Sequence, residues 1–335
     1  MAVSKNKYAY AVGRVRVLET RLFDYGRLDR MLEAATAEES LKVLAESSYG
    51  NHFAEATGVH DFEIILSKEM AYVIAEFEKM SPQPEMVALM ALNQDFHNLK
   101  VLFKCKYLGR QGEEPLLPPG MIPLKRLRSG VEEENFRDLP PVIRRAAENI
   151  LMEFALSPDP QLIELHLDRA LFEMKLAVAR EGGSVFLVEL FQREIDLLNI
   201  NTFLRVKKMG RSKEFLQLAL LPGGLLEEAL FLNLLGEGLE GLIDRLANSP
   251  YGEFAAEGIQ GWMEEGSAIR LEKLADDYIT GYLRQRKSPP FGLEPLIGYL
   301  WGKQIEIKNI RLILVGKING LPVEAIRERL RHVYL

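Results

Sequence analysis

The stretch Asp95-Phe-His-Asn98-Leu99-Lys-Val-Leu102-Phe103-Lys-Cys-Lys106-Tyr-Leu-Gly109 aligns without gaps on Asp196-Leu-Leu-Asn199-Ile200-Asn-Thr-Phe203-Leu204-Arg-Val-Lys207-Lys-Met-Gly210. It aligns again on Glu306-Ile-Lys-Asn309-Ile310-Arg-Leu-Ile313-Leu314-Val-Gly-Lys317-Ile-Asn-Gly320. An acid, an asparagine, three apolar residues, a lysine and a closing glycine keep their places in all three blocks. The blocks begin 101 and 110 residues apart, about a third of the 335-residue chain each. Self-similarity at a long, nearly fixed period marks a molecule built from copies of one unit. Leu99, Leu102 and Phe103 stand at i, i+3 and i+4, the spacing of one helix face, and the other two blocks repeat it. The glycine that closes each block suits the left-handed residue after a helix.

A second landmark precedes the first in every copy: Leu44-Ala-Glu-Ser47-Ser48, Phe154-Ala-Leu-Ser157-Pro158 and Leu246-Ala-Asn-Ser249-Pro250. In the first and third copies it runs on into Tyr49-Gly50 and Tyr251-Gly252. Ser47, Ser157 and Ser249 each precede a break in the helical pattern and read as helix or turn caps. Ala146 to Phe154 and Leu162 to Leu176 carry the helical period, and Pro322 suits the first residue of a last helix through Ile326 and Leu330. No segment alternates as a strand would. The expected fold is all-α, with three helical lobes related by the repeat. Breakers between Gly109 and Gly130, and at Gly210-Arg-Ser-Lys213, place the lobes at residues 1–110, 111–212 and 213–335.

Composition narrows the function. A formal net charge of −6 argues against nucleic acid as the main partner, because phosphate binding calls for a basic surface. Three local basic clusters, Lys125/Arg126/Arg128, Arg205/Lys207/Lys208/Arg211/Lys213 and Arg327/Arg329/Arg331, read as solvated faces. The single cysteine, Cys105, offers no intramolecular disulfide and suits a reducing cytoplasm. The opening residues scatter charge through Lys5, Lys7, Arg14 and Arg16 and do not read as a signal peptide. The most apolar segment, Leu216 to Leu235, is broken by Pro222, Gly223, Gly224, Glu227 and Glu228, so any membrane association is expected to be peripheral.

No constellation reads as an active site. Gly236-Glu-Gly238-Leu-Glu-Gly241 fits the dinucleotide fingerprint, but it follows a helical run rather than a strand, and Glu237 and Glu240 would repel phosphate. His52, His60, His97, His166 and His332 are dispersed and suggest no metal. His97 and Cys105 could share a helix face, yet the other copies put Leu198 and Lys308, Val206 and Gly316 in their places. Neither an oriented acid nor an oxyanion site accompanies them. We therefore expect no catalytic residue, no cofactor and no small-molecule substrate. Asn98, Asn199 and Asn309 stand mid-helix, where asparagine is disfavoured unless its amide has a partner, and read as ties to a neighbouring loop. Lys106, Lys207 and Lys317 are expected to lay their stems on the apolar face with the charge in water.

Taken in order, Tyr10-Ala-Val-Gly13-Arg14-Val15-Arg16, Leu44 to Gly50, Asn93-Gln-Asp95-Phe-His97-Asn98-Leu99-Lys100 and Lys308-Asn309-Ile310-Arg311 through Pro322 resemble the C subunit of the V/A-type rotary ATPases, the counterpart of the d subunit of eukaryotic V-ATPase. The resemblance implies a funnel of three helical lobes, a non-catalytic adaptor of the central stalk. Its partners would be the rotor shaft subunits of the D and F type and the membrane proteolipid ring, and its place the cytoplasmic side of the membrane. By the same analogy a polar cavity receives the shaft; as basic residues on the repeated helices, and not from the analogy, Lys100, Arg205 and Arg311 are its candidate lining residues, the other reading being a solvated helix face. The rival expectation is a helical-repeat scaffold of another complex.

Overall fold

The computed structural model describes residues 5–55, 58–109, 116–118 and 120–335, and among them the regular structure is helix with no strand. Each repeated block lies on one long helix: Leu92–Leu108, Val185–Lys208 and Glu294–Ile318. We call these the first, second and third repeat helices. Their i, i+3, i+4 faces are sealed, with Leu99, Phe103, Ile200, Leu204, Ile310 and Ile313 all fully buried. The closing glycines take φ of 65°, 62° and 65° at Gly109, Gly210 and Gly320, a left-handed turn that other residues adopt only with strain. After the second and third helices this turn makes a Schellman pair: Arg211 and Gly210 N–H donate to the Val206 and Lys207 carbonyls, and Leu321 and Gly320 N–H to those of Gly316 and Lys317.

The chain divides into two compact units. One is Glu85–Gly236. It holds the first two repeat helices with helices Pro141–Leu156 and Pro160–Glu181, each begun by a proline in its first turn. The helix Pro160–Glu181 packs against both repeat helices and against Pro141–Leu156. Phe96, Phe103, Phe191 and Phe203 are buried from the first and second repeat helices.

The other unit joins the segment ending at Pro84 to Glu237–Leu335, with the third repeat helix through its middle. Ala9–Glu19, Tyr25–Glu33, Ala37–Ala45, Phe62–Met80 and Ala268–Gln285 all pack on that helix. From Pro295 to Ile307 every residue but the half-buried Gln304 is therefore buried, and the sequence of this stretch shows no single polar face. Gly298 and Gly302 leave room for the ring of Tyr334; a Cβ at Gly298 would stand 2.2 Å from the Tyr334 hydroxyl.

The helices expected around Ala146 to Phe154 and Leu162 to Leu176 are present. The last helix is shorter than expected. It spans Val323–Arg327 with Pro322 outside it as N-cap, and Leu330 lies beyond it, because Arg331 is tied through its backbone to Asn309 of the third repeat helix. The Pro- and Gly-rich stretch before Gly130 contains a helix, Leu124–Glu133, that the breakers concealed. The expected lobe boundary at 110/111 lies outside the described residues. That at 212/213 falls between the second repeat helix and the segment to which Asn199 binds. Among the described residues no helix is long and apolar enough to cross a membrane.

Candidate functional site

The recurring asparagine and acid of the three repeat helices are buried and turned to backbone. Asn98 donates through Nδ2 to the Leu117 carbonyl (3.0 Å) and accepts at Oδ1 from Leu117 N–H (2.8 Å). Asn199 does the same to Leu221 (2.8 and 2.8 Å) and Asn309 to Arg331 (3.0 and 2.8 Å). A primary amide matches one peptide group's donor and acceptor together, which is why asparagine serves here and a carboxylate would not.

The acid one turn earlier holds the same crossing segment further along in the first two repeats. Asp95 accepts from the N–H groups of Gly120, Met121 and Ile122. Asp196 accepts from Leu225 and Leu226. In the third, Glu306 accepts from Phe23 N–H. Burial pushes the Asp95 carboxyl up to about 6, against the pull of its three amide donors. The recurrence of the acid is visible in the sequence, but an acid on a helix is solvated by default, and nothing in the string assigns it a partner.

The recurring lysine stays in reach of water, Lys106 exposed and Lys207 and Lys317 half-buried, and each ammonium also donates to backbone. Lys106 Nζ donates to the carbonyls of Val131 and Glu132, Lys207 Nζ to Leu235, and Lys317 Nζ to Ala34. These carbonyls end the helices Leu124–Glu133, Glu228–Leu234 and Tyr25–Glu33, so each lysine caps the negative end of a short helix.

The landmark serines stand at helix ends as expected. Ser47 and Ser249 donate to the Leu44 and Leu246 carbonyls (2.6 and 2.7 Å), and Ser157 terminates Pro141–Leu156. Tyr49, from the first landmark, donates its hydroxyl to Glu306 (2.7 Å) inside a sealed charged cluster. Lys303 Nζ lies 2.6 Å from Glu306 and 3.3 Å from Glu69, and Ser48 and His52 complete Glu69. Burial works against the charge on Lys303, and the two carboxylates outweigh it, so the ammonium is held protonated. Sequence offered no signal for this cluster, in which Glu69 and Lys303 lie 234 residues apart.

The three candidate cavity residues have different surroundings. Lys100 bridges Glu164 (2.6 Å) and Asp168 (2.7 Å), and Lys104 shares Glu164 (2.8 Å). Burial opposes the Lys100 charge, but Asp168 and Glu164 raise its pKa above the ordinary lysine value. Arg311 forks onto both oxygens of Glu63. Arg205 is exposed on the second repeat helix. Of the basic clusters, Lys125, Arg126 and Arg128 are solvent-facing in part or whole, whereas Arg327 binds Asp29 and Glu33 and Arg331 binds Asp276 (3.2 Å). His97 and Cys105 are half-buried. Gly236 to Gly241 follows the helix Glu228–Leu234, with Gly238 as N-cap of Leu239–Leu246. Among the described residues no group of three His, Cys, Asp or Glu is arranged to hold a metal ion.

This arrangement organises backbone: three long helices each fasten crossing chain through an asparagine, an acid and a lysine. The profile of the family described as ATP synthase (C/AC39) subunit matches residues 11–329, a span that takes in all three repeat helices. The chain is 25% identical to the C subunit of the V-type sodium ATPase of Enterococcus hirae, over 96% of this chain and 97% of that protein. It is 27% identical to the C subunit of the A-type ATP synthase of Methanocaldococcus jannaschii, over 98% and 88%. With the C subunit of the V-type ATP synthase of Thermus thermophilus it shares 24%, over 96% and 97%. The chain therefore belongs to the ATP synthase (C/AC39) subunit family, as the C subunit of a V/A-type rotary ATPase.

Proposed function

We propose that this protein is the non-catalytic adaptor of the central stalk, seating the rotor shaft subunits of the D and F type on the membrane proteolipid ring. On this reading it is a funnel of three lobes and transmits torque during ATP-linked transport of protons or sodium. It sits on the cytoplasmic face through the complex. One observation carries the reading: the family match runs unbroken through three helices that use the same asparagine, acid and lysine to fasten backbone. A torque adaptor needs stiffness, and buried polar ties that are satisfied on both sides rigidify a core beyond what apolar packing alone provides.

Detergent extraction of the tagged protein from its native membranes, followed by mass spectrometry, tests this. Shaft and proteolipid subunits are the expected companions. A soluble assembly lacking proteolipid would replace the adaptor with a scaffold of another complex. Within the adaptor reading, Lys100, Arg205 and Arg311 are the candidates for the shaft-facing cavity. Lys100 holds Glu164 and Asp168, and Arg311 holds Glu63, so charge reversal at these sites is read beside a thermal melt that reports any loss of stability. Shaft affinity unchanged by reversal at all three sites would end their candidacy.

A further inference from the structure

The ties of the three repeats share one register. Ile122, the last amide held by Asp95, stands two residues before the helix Leu124–Glu133, whose end Lys106 caps. Leu226, held by Asp196, stands two residues before Glu228–Leu234, and Lys207 donates to the carbonyl that follows that helix. Phe23, held by Glu306, stands two residues before Tyr25–Glu33, and Lys317 donates to the carbonyl that follows it. The helix Tyr25–Glu33 thus does for the third repeat what the helices 124–133 and 228–234 do for the first and second. In those two the tied helix follows directly in the chain, with lysine ties spanning 25 and 28 residues; in the third the same tie spans 283.

The third repeat is therefore assembled from two distant pieces. Asn309 holds Arg331, as Asn98 and Asn199 hold Leu117 and Leu221, and the acid and lysine positions then pass to the N-terminal segment. That segment docks as an amphipathic helix in a groove. Leu28, Met31 and Leu32, at i, i+3 and i+4, are buried, while Tyr25, Arg27, Arg30 and Glu33 face solvent. A further pair of contacts joins the same two pieces: Arg327, at the end of the last helix, binds Asp29 and Glu33.

We propose that residues 22–34 are a clasp, a helical segment that closes the third repeat noncovalently and is the place where this unit opens first. In the first two repeats a local opening leaves the tied helix tethered within some tens of residues of its partner. In the third, the seat of the helix rests on its apolar face, on the contacts of Glu306, Lys317 and Arg327, and on its connections to Ala9–Glu19 and Ala37–Ala45. Proteins open locally in cooperative units below the free energy of global unfolding, and a helix whose anchors all lie on distant chain can leave as one such unit.

Hydrogen exchange with mass spectrometry on the full chain, across sub-denaturing urea, reads this directly. Amides within 25–33 should exchange as one group, at lower urea than those of the helix Phe62–Met80 in the same unit. Lys317→Met and Arg327→Met should each speed exchange in 25–33 by about tenfold, the effect of losing one good helix-end or ion-pair contact, while 124–133 and 228–234 stay unchanged. Lys207→Met is the matched control and should speed 228–234 alone. Arg327 is on the surface, so its variant reports on the clasp even if Lys317→Met fails to fold. Exchange in 25–33 that keeps step with Phe62–Met80, or that neither variant alters, overturns the clasp.

Discussion

At the scale of single residues, the informative positions are polar groups placed where helices do not want them. Asn199 is legible as a tie before any coordinates, because an asparagine in mid-helix with apolar neighbours must find partners for both its donor and its acceptor. Removing it leaves the Leu221 N–H and carbonyl buried without these partners. Asn199→Ala should therefore cost roughly 2–4 kcal/mol in urea unfolding. Two residues along the same helix, the Asn201 side-chain oxygen has no partner among the described residues, and Asn201→Ala should change stability by less than about 1 kcal/mol. Equal losses at the two positions would show that Asn199 acts through helix propensity rather than through its tie. The acid and the lysine of the same block are less legible. Both residue types are at ease in water, so their recurrence demands no buried partner, and only the packed structure shows that the carboxylates gather amides and the ammoniums cap helices.

At the scale of elements, the long helices are legible and the short ones are not. The repeat helices carry several turns of consistent apolar spacing. The tied helices Leu124–Glu133 and Glu228–Leu234 are 10 and 7 residues long, sit near prolines and glycines, and have their ends fixed by residues of another helix. Isolated helices of that length are marginal, so tertiary contacts decide whether they form. The serine landmark shows how closely two of the copies agree in detail. A Cβ at Gly50 would meet the Ala45 carbonyl oxygen at 2.4 Å, and one at Gly252 would meet that of Ala247 at 2.5 Å. Gly252→Ala should force the backbone apart at a cost of about 1–3 kcal/mol. Gly13→Ala meets nothing within 4 Å on an exposed helix face and should stabilise the protein by about 0.5–1 kcal/mol through helix propensity and chain entropy. Thermal melts of the two variants should shift in opposite directions; a Gly252→Ala protein as stable as the parent would mean that the close approach is dispensable.

At the scale of the whole chain, the two units predict different behaviour when cut apart. Glu85–Gly236 contains both partners of every asparagine, acid and lysine tie made by its two repeat helices. Expressed alone it should unfold in one cooperative transition. Residues 237–335 alone lack Phe23 and Ala34 and should stay unfolded until residues 5–84 are supplied in trans. Circular dichroism of the separate and mixed fragments checks this; a folded 237–335 fragment would show that the third repeat needs no closure. Apolar periodicity and internal recurrence are properties of the string of residues. They were enough to establish that the chain is helical, that its design occurs three times and where the repeat helices lie, while the family resemblance came from the ordered motifs between Tyr10 and Pro322. What each helix is fastened to lay beyond them. Periodicity fixes which face must be buried and leaves open what buries it, so the assignment of residues 23–34 to a helix more than 280 residues away belongs to tertiary structure.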